Sequence, residues 1–85
     1  MFKILMKLDI VNEFCKICNK YDFDVNVLDG RRICVDGKSA MGVAELCGRV
    51  VDVSPVVLGD SMEDNLKIAN FFADIKKLGA YKEAY

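Results

Sequence analysis

The sequence predicts an α+β domain: a two-layer, open-faced sandwich in which an antiparallel four-stranded sheet is covered by helices on one face. Three observations carry this. Apolar residues recur with alternating period two and period 3.6 along the chain, giving the order βαββαβα. Asp-Gly pairs at 29–30 and 36–37 are turn signals flanking an apolar β segment. And 85 residues that are 53% hydrophobic suffice for one core and are too few for two. Residues 1–85 are therefore read as a single domain, with Ala80 to Tyr85 a loosely held tail.

Each element follows from local pattern. Phe2, Ile4, Met6 and Leu8 alternate with Lys3 and Lys7, which suits a half-buried first strand. Asp9 offers an N-cap, and Ile10, Val11, Phe14, Ile17, Cys18 and Tyr21 recur at helical spacing, predicting a helix from Ile10 to Lys20. Phe23, Val25 and Val27 form a second strand, and Arg31 to Val35 returns as a third. Ser39 is a favourable N-cap for a short helix, Ala40 to Cys47, stopped by Gly48. Val50 to Leu58 is apolar and β-branched. Pro55 within it has no N–H for a ladder, so this fourth strand must lie at an edge there or carry a bulge. Ser61 caps the last helix, with Asp64 completing a variant of the capping box. In that helix Leu66, Ala69, Phe72 and Ala73 make one apolar stripe with Ile68, Phe71, Ile75 and Leu78 beside it, and Gly79 ends it.

Composition excludes several functions. The 12 basic and 13 acidic residues nearly cancel, and no basic stripe marks a nucleic-acid partner. No apolar run is long enough to span a membrane. Met1 to Lys7 carries two lysines and no small-residue cleavage site, so it reads as a strand and not as a signal peptide. A cytoplasmic protein without a cofactor is expected, and its four cysteines are expected to be reduced. Cys15-Lys16-Ile17-Cys18 is a C-x-x-C, but both thiols lie past the first helical turn, where the helix does not favour a thiolate. Cys34 and Cys47 add no second C-x-x-C for zinc, so all four are taken as packing residues and no metal is expected. Arg31 and Arg32 are taken as a solvated strand face.

The stretch Lys38-Ser39-Ala40-Met41-Gly42-Val43-Ala44-Glu45-Leu46 resembles the segment written K-S-I-M-G-V-M-S-L in HPr phosphocarrier proteins. Lys20-Tyr21-Asp22 with Asp24 to Val27, and Gly59 to Asp64, resemble that family's neighbouring segments. The resemblance implies the HPr-like sandwich and a link to the bacterial phosphoenolpyruvate-dependent sugar phosphotransferase system. It implies that Ser39 is a regulatory phosphorylation site and that Lys38, Ala40, Met41, Val43 and Ala44 form a partner-binding surface. It further implies an HPr kinase/phosphorylase and a catabolite-control repressor as partners.

One departure is decisive. The family's G-(I/L)-H-A-R-P-A loop, whose histidine carries phosphate, is replaced by Leu8-Asp9-Ile10-Val11-Asn12, and the chain contains no histidine. Asp9 and Glu13 would set negative charge where the helix N-terminus should attract a phosphoryl group. The expected function is thus regulatory, not catalytic, in the manner of HPr-like proteins that lack the histidine and keep the serine. Two alternatives stand beside it: a structural or oligomerising module, and a thiol-dependent activity at Cys15 and Cys18. For Ser39 the bland alternative is a plain N-cap, worth ~1 kcal/mol. For Met41 and Val43 it is simple cover for the core.

Overall fold

The structure, a computed structural model, describes residues 2–30, 33–59 and 61–78, and the backbone of 81–82. Strand β1 (Lys3–Leu5) leads through a 3-10 turn (Leu8–Ile10) into helix α1 (Val11–Asn19). Strands β2 (Asp24–Asp29) and β3 (Ile33–Asp36) form a hairpin, followed by helix α2 (Ala40–Ala44), β4 (Val50–Val56), helix α3 (Met62–Lys76) and β5 (Tyr81–Lys82). The sheet order is β3-β2-β4-β1-β5 and all pairings are antiparallel. The expected four strands and three helices are present. Tyr81 and Lys82, expected in a loose tail, instead pair with Ile4 and Lys3. Arg31, Arg32, Gly79 and the remaining tail positions lie outside the described residues.

The two-residue period of each strand sends one set of side chains inward. Ile4, Val25, Val27, Val51 and Val53 are buried under Val11, Phe14 and Cys18 of α1, Val43 of α2, and Phe71 and Ile75 of α3. Lys3, Asn26, Leu28, Cys34, Asp52 and Ser54 take the other face, where Lys3 pairs with Asp52 at 3.0 Å. Phe71 meets Tyr21 and Phe23 edge-on at 5.5 and 5.6 Å, an arrangement that aromatic quadrupoles favour. Asp74 fastens α3 to the end of α1: its Oδ2 accepts from the Tyr21 hydroxyl at 2.8 Å and from Lys20 Nζ at 3.0 Å.

Pro55 finds the edge it requires. The Val53 N–H donates to the Phe2 carbonyl, on the β1 side of β4. By the same alternation the Pro55 nitrogen faces that side, beyond the Lys3 at which β1 begins, while its other side keeps register with Val25 of β2. An interior strand thus becomes an edge strand at one residue.

Four local expectations are corrected. Asp9 is not the cap of α1: the 3-10 turn runs directly into the helix, the N-cap residue is Ile10, and no side chain bonds there. Leu8 consequently leaves the strand pattern and is 76% exposed. Helix α2 ends at Ala44, short of the expected Cys47, so Gly48 does not stop it; Gly48, at a left-handed φ of 87°, instead ends the turns that follow the helix. In α3 the buried side is Phe71 and Ile75 with Ile68 and Phe72 half-buried, as is Leu78 just past its end, whereas Leu66, Ala69 and Ala73 face outward.

Candidate functional site

The Lys38–Ala44 segment is held from several directions. Asp36 begins it: its carboxylate accepts from the Lys38 backbone N–H at 2.9 Å, and its carbonyl accepts from the Ser39 N–H at 3.0 Å. A short acidic side chain bonding two residues ahead makes such a turn independent of tertiary contacts. Gly37 lets this turn lie flat on the core, because a Cβ there would come within 3.0 Å of Val25 Cγ1 and 3.2 Å of Cys18 Sγ. From α1, Asn19 Nδ2 donates to the Lys38 carbonyl, and Lys38 Nζ reaches back to the Tyr21 carbonyl at 3.0 Å.

On this platform Ser39 has extended backbone, and its Oγ accepts from the Gly42 N–H at 3.3 Å, as an N-cap should. The residue is exposed, as are Ala40 and Met41, and Met41 is 84% accessible. Of the residues expected to form a partner surface, Ala40 and Met41 are brought together at the surface beside Ser39. Val43 is not available to it: its side chain is wholly buried in the core. Ala44 is half-buried against that core. Lys38 is half-buried with its ammonium committed to Tyr21, so it is a tether before it is a counter-ion. No local pattern signals the Asn19 and Tyr21 contacts, which depend on where α1 ends relative to the β3–α2 turn.

The start of α1 is chemically different. It has no side-chain cap, an exposed Asp9 on its approach and Glu13 in its first turn. With no histidine in the chain, nothing there can form a phosphohistidine.

The thiols divide by face. Cys15 and Cys18 are buried on the core side of α1; burial pushes the Cys18 thiol up to about 12, helped by neighbouring Cys15, and burial first and Asp36 second raise Cys15 as well. Such thiols resist becoming thiolates, the form that nucleophilic or metal chemistry needs. Cys34 corrects the expectation that all four pack in the core. It is exposed on the outer face of the sheet, opposite Leu28, with the sheet between it and the α1 thiols. Cys47 is half-buried.

Against known proteins, no family model matches the chain, and no curated protein does. Solved structures do. The crystal structure of HPr-C-His from Thermoanaerobacter tengcongensis superposes with a TM-score of 0.59 at 21% identity, over 99% of this chain and 100% of that one. The crystal structure of a phosphocarrier protein HPr from Bacillus anthracis gives 0.55 at 15% identity, over 85% and 90%. The sandwich and its order of elements are therefore those of the HPr fold. Among the described residues no helix is long and apolar enough to cross a membrane.

Proposed function

We propose that this chain is a non-catalytic, HPr-like regulatory protein of the bacterial cytoplasm, related to the sugar phosphotransferase system, that acts by protein contact and is switched by phosphorylation of Ser39. The observation that carries the reading is the build of the α2 N-terminus. An exposed serine stands on a turn held by Asp36, Asn19 and Lys38, with an exposed Met41 two residues on. A phosphoryl group there adds about −1.5 to −2 charge next to the first N–H groups of α2, which favour an anion. The fold is not asked to move. What changes is the surface, where a doubly charged group joins a small apolar patch of Ala40 and Met41.

A partner that reads this surface needs an arginine for the phosphate and an apolar seat for Met41. An HPr kinase/phosphorylase is the proposed modifying enzyme and a catabolite-control repressor the proposed reader. The test uses protein carrying phosphoserine at position 39 alongside the unmodified form, each titrated into the repressor by calorimetry. The modified form should bind at least about tenfold tighter, and Met41→Asp should remove most of that gain. Equal affinities for the two forms would overturn the switch.

A further inference from the structure

Helix α3 carries a second apolar side. Met62, Leu66, Ala69 and Ala73 are spaced by four, three and four residues, which at 3.6 residues per turn keeps them in one narrow stripe. The buried side, Phe71 and Ile75, lies about half a turn away around the helix. Met62 is 87% exposed and Leu66 60%, and both alanines are exposed. Isolated surface apolar residues are ordinary, but a seam with coiled-coil spacing along a 15-residue helix is not a scatter.

We propose that this stripe is a self-association surface, on which α3 of a second copy packs antiparallel. Size complementarity favours that partner: antiparallel pairing sets Met62 against Ala73 and Leu66 against Ala69 of the other copy, large against small in every layer. Charge selects the same orientation. The first turn of α3 carries Glu63 and the last turn Lys76, followed by Lys77, so an antiparallel pair turns each acidic end toward a basic end. A parallel pair would place Glu63 beside Glu63 and Lys77 beside Lys77. One helix of this length offers less than the ~800 Å² per partner of a standard stable interface. The dimer is accordingly weak and concentration-dependent.

This surface shares no residue with Ser39 or Met41, and its test is independent of them. Sedimentation velocity on the full chain, across a concentration series reaching the millimolar range, should show a reversible monomer–dimer equilibrium. Leu66→Lys should weaken it at least about tenfold, and Ala69→Glu, a second exposed position, should do the same. Glu63→Lys alone should weaken association, and combining it with Lys77→Glu should restore it. A monomer across the whole series would overturn the proposal. So would a dimer indifferent to both Leu66→Lys and Ala69→Glu, or a charge exchange that fails to restore binding.

Discussion

The starts of α1 and α2 are both helix N-termini, yet only one presents a capping hydroxyl, and it is the one proposed to be phosphorylated. At α1 the chain enters through a 3-10 turn, no side chain caps the helix, and Asp9 and Glu13 oppose any anion. At α2 a serine caps the first turn, an aspartate fixes the loop before it, the Asn19 side chain from α1 donates to the Lys38 carbonyl, and the Lys38 side chain donates to the Tyr21 carbonyl. The macrodipole favours an anion at both ends alike, so it cannot be what distinguishes them. The difference lies in the side chains that position a hydroxyl and keep it at the surface.

The comparison is broken most severely by mistaking which α2 residues are surface. Val43→Asp would bury an unpaired charge in the core and should cost more than about 3 kcal/mol in denaturant unfolding. Met41→Asp, two residues away and exposed, should stay within about 0.5 kcal/mol. Similar losses for the two would mean that Met41 is packed and that the Ser39 surface has no apolar half.

A smaller effect separates the two caps. Ser39→Ala removes the bond from the Gly42 N–H and should cost about 1 kcal/mol, as N-cap truncations do. Asp9→Ala removes no capping bond and should change stability by less than about 0.5 kcal/mol, measured in the same urea titrations.

A further effect is absent at neutral pH and emerges only in alkali. Cys18 lies beneath the turn that presents Ser39, and its thiol rises from 9.0 to about 12 on folding. A raised folded value means the stabilisation is complete below 9.0 and is lost as pH rises through about 12, because the unfolded chain releases the proton first. The urea midpoint should fall across that window. In Cys18→Ala, which should itself cost about 1 kcal/mol near neutrality, the fall should be shallower. An identical alkaline slope in the variant would show that Cys18 is not the group responsible.

The order βαββαβα was legible because period two and period 3.6 are local signals, and Ser39, Gly48 and Ser61 act within one helical turn of themselves. Pro55 was legible too, since a missing N–H demands an edge wherever the strand falls. What escaped was tertiary. Helix α3 has apolar residues on both sides, and periodicity alone does not say which side meets the sheet; the stripe holding Leu66 and Ala69 faces out. Val43 lies two residues beyond Met41 in a single helical turn, and only the placement of α2 on the core decides that one is covered and the other is not. Cys34 sits in an alternating strand whose register, set by β2, sends it to the outer face. For the candidate site, Ser39 and its cap were readable, whereas the tethers from Asn19 and Lys38 required the fold.

The proposed switch requires that this chain take a phosphoryl group at the α2 N-terminus and not at the α1 N-terminus. Intact-mass spectrometry after two parallel incubations tests it most directly: one with phosphoenolpyruvate and the general phosphotransferase enzyme, the other with HPr kinase and ATP. The first should leave the mass unchanged. The second should add one phosphate to the wild type and none to Ser39→Ala. Enzyme-dependent, acid-labile phosphate in the first incubation would show that the α1 end does accept a phosphoryl group and would overturn the proposal. An unmodified wild type in the second, under conditions that phosphorylate an ordinary HPr, would do the same.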